Sequence, residues 1–117
     1  MKPKVKKIEP FFRSITPRIR VLLYLLGSGQ FSIEELRKMP VSVFSELPLL
    51  KNLPSSLELD DIVSELKKRP IDSMVFSLDS GRFYSATNVI DILKRAHKIA
   101  GKEYMGIDAF VEYVTKT

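Results

Sequence analysis

Pro70 splits the stretch 55–85 into two halves with different hydrophobic periods, and that change narrows the folds open to the chain. Before Pro70, Leu59, Ile62, Val63 and Leu66 recur at i, i+3, i+4 and i+7, the spacing of one apolar helix face. Ser55 and Glu58 stand at capping-box spacing. Glu58, Asp60 and Asp61 suit a helix N-terminus, and Lys67, Lys68 and Arg69 suit its C-terminus. A helix is expected over 57–69, and Pro70 prevents its continuation. After Pro70, Met74, Phe76 and Leu78 alternate with Val75 and Ser77. Asp79-Ser80-Gly81 then carries turn chemistry, and Arg82-Phe83-Tyr84 opens a second β-rich run, so a hairpin is expected.

The rest of the chain reads as helices closed by Gly or Pro. Thr16-Pro17 supplies an N-cap and a first-turn proline for a helix over 17–26, with Ile19, Leu22, Leu23 and Leu26 inward, Val21, Tyr24 and Leu25 widening the face and Gly27 at its end. Ser32 and Glu35 make a second capping box for a short helix over 32–39, closed by Pro40. Phe44, Leu47, Leu50 and Leu53 recur every third residue, a helical mark disturbed by Pro48. Thr87 is an expected N-cap for a helix to Ala100, and Ile107, Phe110, Val111 and Val114 stripe a last one. The predicted class is α+β, mostly helical: a winged helix-turn-helix with a β-hairpin wing and additional C-terminal helices. Residues 1–10 are expected as a basic flexible tail, and 11–117 as a single winged-helix domain with a C-terminal helical extension over 86–117.

Charge is distributed unevenly along the 117 residues, which carry a net +5. Residues 1–20 hold seven Lys/Arg against one Glu, residues 21–93 seven against ten acids, and residues 94–117 five against three. Basic ends of this kind can neutralise phosphates with little geometric demand. The longest apolar run, residues 21–26, is far too short to span a bilayer, no secretory signal follows Met1, and cysteine is absent. An intracellular chain, cytoplasmic or nuclear, with no membrane contact is expected.

Residues 7–85 resemble the La motif, the winged-helix RNA-binding module of La and La-related proteins. The opening signature of that family, a Gln followed by paired aromatics and a Phe, corresponds to Lys7-Ile8-Glu9-Pro10-Phe11-Phe12. The Leu-rich helix after Pro17, the turn and helix from Phe31-Ser32-Ile33, the apolar triplet Leu47, Leu50 and Leu53, the helix through Ile62-Val63 and Leu66, and the wing from Met74 to Phe83 follow in the family order. Lys7 stands in place of the family's Gln, Pro10 in place of its first paired aromatic, Ile19 and Val21 near its acidic and aromatic pocket positions, and residues 38–42 hold an insertion. The resemblance therefore implies the architecture without the uridylate 3′-end pocket.

A second resemblance runs through Phe31-Ser32-Ile33-Glu34-Glu35-Leu36 and Tyr104-Met105-Gly106-Ile107-Asp108-Ala109-Phe110. Both are similar to the repeated helix start in the N-terminal domain of Clp ATPases, an all-helical adaptor and substrate platform. The resemblance implies a ligand site at the acid of each repeat, here Glu34 and Asp108. A hairpin over 74–84 has no place in that domain.

The function expected from these residues is binding of nucleic acid, single-stranded or structured RNA before DNA. The candidate contacts are Lys4, Lys6, Lys7, Arg13, Arg18, Arg20, Lys67, Lys68, Arg69 and Arg82 for phosphates, with Phe11 and Tyr84 as stacking rings. The alternative is a protein-interaction module, either a winged helix contacting its partner through the C-terminal helices or a Clp N-domain-like adaptor. Nothing points to an enzyme. His97, among Lys94, Arg95 and Lys98, is expected on a helix surface, no second histidine or cysteine accompanies it, and Gly27-Ser28-Gly29 is too short to cradle a phosphate. No metal and no cofactor are expected.

Overall fold

The computed structural model describes residues 2–13, 15–51, 53–76 and 84–116. In chain order these hold the helices α1 (Val5–Ile8), α2 (Pro17–Gly27), α3 (Ile33–Arg37), α4 (Val41–Phe44), α5 (Asp60–Lys67), α6 (Ala86–Ile99) and α7 (Ile107–Thr115). Single 3-10 turns lie at Glu9–Phe12, Pro48–Leu50 and Ser55–Leu57.

α2 is the centre of the core. Every side chain from Val21 to Leu26 is buried, and α3, α5 and α7 all pack against this helix. Each buried Leu contributes on the order of 1.5–3 kcal/mol of transfer free energy, which makes this helix the largest local source of stability. Gly27 lets neighbours approach closely: a Cβ there would stand 3.1 Å from Val114 and 3.4 Å from Ile8 and Phe110. α1 and α7 meet at that point. Residues 1–10 are accordingly no loose tail where described. Ile8 is fully buried, and the Lys4 amide donates to the Val114 carbonyl at 2.6 Å.

No strand and no sheet occurs among the described residues, where a lone antiparallel bridge joins Pro40 to Met74. The α+β class and the β-hairpin wing of the expected winged helix-turn-helix are overturned. The segment past Pro70 turns back onto the start of α4. Pro40 occupies the N-cap there and has no side-chain oxygen, so the first amides of α4 need other acceptors. The Ser73 carbonyl takes the Val41 amide at 2.9 Å and the Ile71 carbonyl takes Ser42 at 3.1 Å, while Val75 donates to Met39 at 3.0 Å. Val75 and Phe76 are consecutive and both fully buried, which the alternating faces of a ribbon do not allow. Phe76 packs edge-on against Phe44, with centroids 6.0 Å apart. The expected turn at Asp79-Ser80-Gly81, with Arg82, lies outside the described residues.

Several boundaries moved for packing reasons. The capping box expected at Ser55 and Glu58 does not form; Glu58 adopts a left-handed φ of 54° and α5 begins at Asp60. Leu57 and Leu59 are both buried, and residues two apart on one helix point to nearly opposite sides, so the chain must turn between them. The box at Ser32 and Glu35 forms in both directions, at 3.1 and 3.0 Å. α6 starts on Ser85, not Thr87: Ser85 Oγ accepts the Asn88 amide and the Asn88 side chain accepts back from Ser85.

Candidate functional site

A groove of about 670 Å³ runs between the starts of α3 and α7. Its two walls begin in different ways. On one side the Ser32 box fixes the first turn of α3; on the other, Gly106 at φ 103° turns the chain into α7, a conformation that L side chains rarely adopt. Phe31, Ile33, Ala86, Ile107 and Val111 give the groove apolar surface. Glu34, Glu35, Asp108 and Glu112 supply its carboxylates.

These acids are not equivalent. Glu34 accepts from Arg37 Nη1 at 2.7 and 2.8 Å and lies 3.5 Å from Lys38 Nζ. The Arg37 hydrogen bond holds its carboxyl below the ordinary value. Glu112 is lowered in the same sense by the Lys116 ammonium at 2.8 Å. Glu35 is spent on the Ser32 amide. Asp108 and Glu35 have no ion-pair partner among the described residues, so their charges stay uncompensated, and Asp108 is not engaged in a capping box as Glu35 is.

The residues expected to contact nucleic acid sit on several different elements. Lys4, Lys6 and Lys7 belong to the N-terminal segment that packs on α7, whereas Lys67 and Lys68 end α5, which packs on α2 and α4. Arg69 is half-buried and donates to the Val75 carbonyl at 3.1 Å, a structural role. Arg20 donates through Nε to the Ile15 carbonyl at 3.0 Å, and the clefts beside Arg13 and Arg20 are lined by Glu9, Glu58, Asp60 and Asp61, which repel phosphate. Arg18 and Tyr84 share a different cleft, about 360 Å³, with Glu65 and Ile62. Phe11 is 1% exposed and stacks edge-on to His97, Phe110 and Tyr113, so it belongs to the core. Arg82 lies outside the described residues.

His97 corrects a further expectation. It is 4% exposed, with Nδ1 donating to the Leu93 carbonyl at 2.7 Å and its ring against Phe11, Phe110 and Tyr104. The signal was its spacing: His97 follows Leu93 by four residues and Val89 by eight, on the buried face of α6. Sequence reading also passed over Tyr104 and Tyr113, which hold lysine ammonium groups over their rings. Among the described residues no group of His, Asp or Glu is arranged to hold a metal ion, and no helix is long and apolar enough to cross a membrane.

No family model, curated protein or solved structure matches this chain.

Proposed function

We propose that the chain is a helical protein-recognition module that takes a peptide segment of a partner into the groove between α3 and α7. The observation that carries this reading is that the two helix starts singled out by likeness to the Clp N-terminal domain line one groove, with Glu34 and Asp108 both on its walls. Apolar surface from Phe31, Ile33, Ile107 and Val111 offers burial to the partner's apolar side chains. The ionised rim selects charge: Asp108 awaits a cation, and the partnered Glu34 and Glu112 discourage an acidic segment. The preferred occupant is an extended or helical segment with apolar residues flanking an Arg or Lys.

The test is fluorescence anisotropy with labelled peptides of matched length whose apolar spacing is constant and whose central residue is Arg, Lys, Gln or Glu. Arg and Lys peptides bind more tightly than the Gln peptide, and the Glu peptide binds least. Asp108→Asn removes the preference for a cation, and Val111→Glu lowers affinity for the whole set. Equal affinity across the four peptides, or affinity indifferent to both substitutions, overturns the reading.

A further inference from the structure

Three lysines gather on two tyrosine rings where α1, α6 and α7 meet. Lys7 Nζ and Lys102 Nζ each lie 4.8 Å from the centroid of Tyr113, and Lys94 Nζ lies 5.9 Å from that of Tyr104. The rings belong to one assembly: Tyr104 stacks edge-on to His97, His97 to Phe11 and Phe11 to Tyr113. The loop after α6 ties them further, since Lys102 reaches Tyr113 while Tyr104, two residues later, receives Lys94. Tyr113 lies roughly 140° round α7 from Asp108, so this face is distinct from the groove.

Among the described residues the lysines have no acidic partners to explain them. None of Lys7, Lys94 and Lys102 makes an ion pair among the described residues, and Glu103 is the one carboxylate in residues 100–106. Two ammonium groups on one ring repel each other, a cost that a bound anion lowers. Both rings are partly buried against the core, and Met105, 74% exposed, adds flexible apolar surface beside Tyr104. Cations gathered on partly exposed aromatic rings are what an unpaired polynucleotide strand uses: phosphates draw the ammonium groups off the rings and bases stack in their place. A duplex keeps its base faces covered and would use the lysines alone.

We propose that Lys7, Lys94, Lys102, Tyr104 and Tyr113 form a binding face for single-stranded nucleic acid. The test is anisotropy titration of a labelled oligouridylate of about 16 nucleotides, the upper end of ordinary single-strand site sizes, against its duplex, with inorganic polyphosphate as competitor. The single strand binds more tightly than the duplex. Lys7→Gln with Lys102→Gln lowers the slope of log affinity against log salt by about 1.4, the release expected for two phosphate contacts. Tyr104→Leu or Tyr113→Leu weakens binding by about 5- to 150-fold, the range for loss of one stacked base, while Tyr104→Phe and Tyr113→Phe retain it. Lys51→Gln, an exposed lysine outside these contacts, leaves affinity unchanged. No binding at low salt, equal binding by Leu and Phe variants, polyphosphate competing as well as unlabelled RNA, or attachment to phosphatidylserine vesicles in place of RNA each overturns the proposal.

Discussion

Arg37 donates through Nε to the Tyr84 carbonyl at 2.6 Å, across 47 residues of chain, while its Nη1 holds both carboxylate oxygens of Glu34. The guanidinium thereby ties the end of α3 to the residue just before the Ser85 cap of α6.

Arg37→Ala should cost about 1–3 kcal/mol, because a charge-assisted bond is lost and a part-buried carbonyl is left without its donor. Arg37→Lys should recover little of that, since an ammonium lacks the planar fork that serves both partners at once. Urea unfolding midpoints of the two variants against the parent check both statements.

Phe76 tests the packing past Pro70. Buried and edge-on to Phe44, it should lose about 3–5 kcal/mol on Phe76→Ala and less than about 1.5 kcal/mol on Phe76→Leu. A small effect of the alanine substitution, within about 0.5 kcal/mol as at exposed surface sites, would contradict the turn and favour a solvent-facing ribbon.

Gly29 and Gly101 make a matched pair. Both have positive φ, 76° and 72°, but a Cβ at Gly29 would stand 2.9 Å from Val111 Cγ1, whereas at Gly101 nothing lies within 4 Å. Gly101→Ala should cost only the left-handed strain, about 1–2 kcal/mol. Gly29→Ala should cost more, because the stiff Val111 side chain must also move. The difference between their thermal midpoints isolates that contact and, through Val111, the wall of the groove.

The pH response follows from two depressed carboxyls. Glu34 is lowered from 4.5 first by its hydrogen bond from Arg37, and Glu112 from 4.5 by that from Lys116. A group whose folded value is depressed adds stability that is present above its unfolded value and is lost as pH falls through the folded one. Glu34→Gln with Glu112→Gln should therefore be less stable than the parent at neutral pH, and the gap should close as pH falls below 4.5. Lys116, raised from 10.5 by Glu112, acts in the opposite sense, with stability lost only as pH rises through its folded value. Chemical denaturation at a series of pH values reads both limbs. A gap that stays constant into acid would remove these pairs from the account.

Much of the helical order was legible in the residues themselves. α2, the Ser32 box, α6 and α7 depend on interactions within about four residues, and periodicity and capping report those directly. His97 could have been placed by the same spacing, had its polarity not been weighed above its position. The path of residues 71–76 could not, since alternation of Met74 and Phe76 suits a strand until the amides of α4 require acceptors from elsewhere. The candidate surfaces were less legible still, because each joins side chains from distant parts of the chain.

Sequence alone determined where α2, α3, α5, α6 and α7 begin and end to within a turn, but not α1 or the end of α4; it also determined that α2 would be buried and that the termini would be basic. Tertiary structure decided that Ile71 and Ser73 cap α4, that Glu58 turns left-handed, that Glu34 and Asp108 line one groove, and that Lys7 and Lys102 share a tyrosine. The physical reason is range. Helix propensity and capping are short-range energies carried by neighbouring residues. Unpaired amides and apolar faces are satisfied by whichever distant segment the packing of α2 brings near.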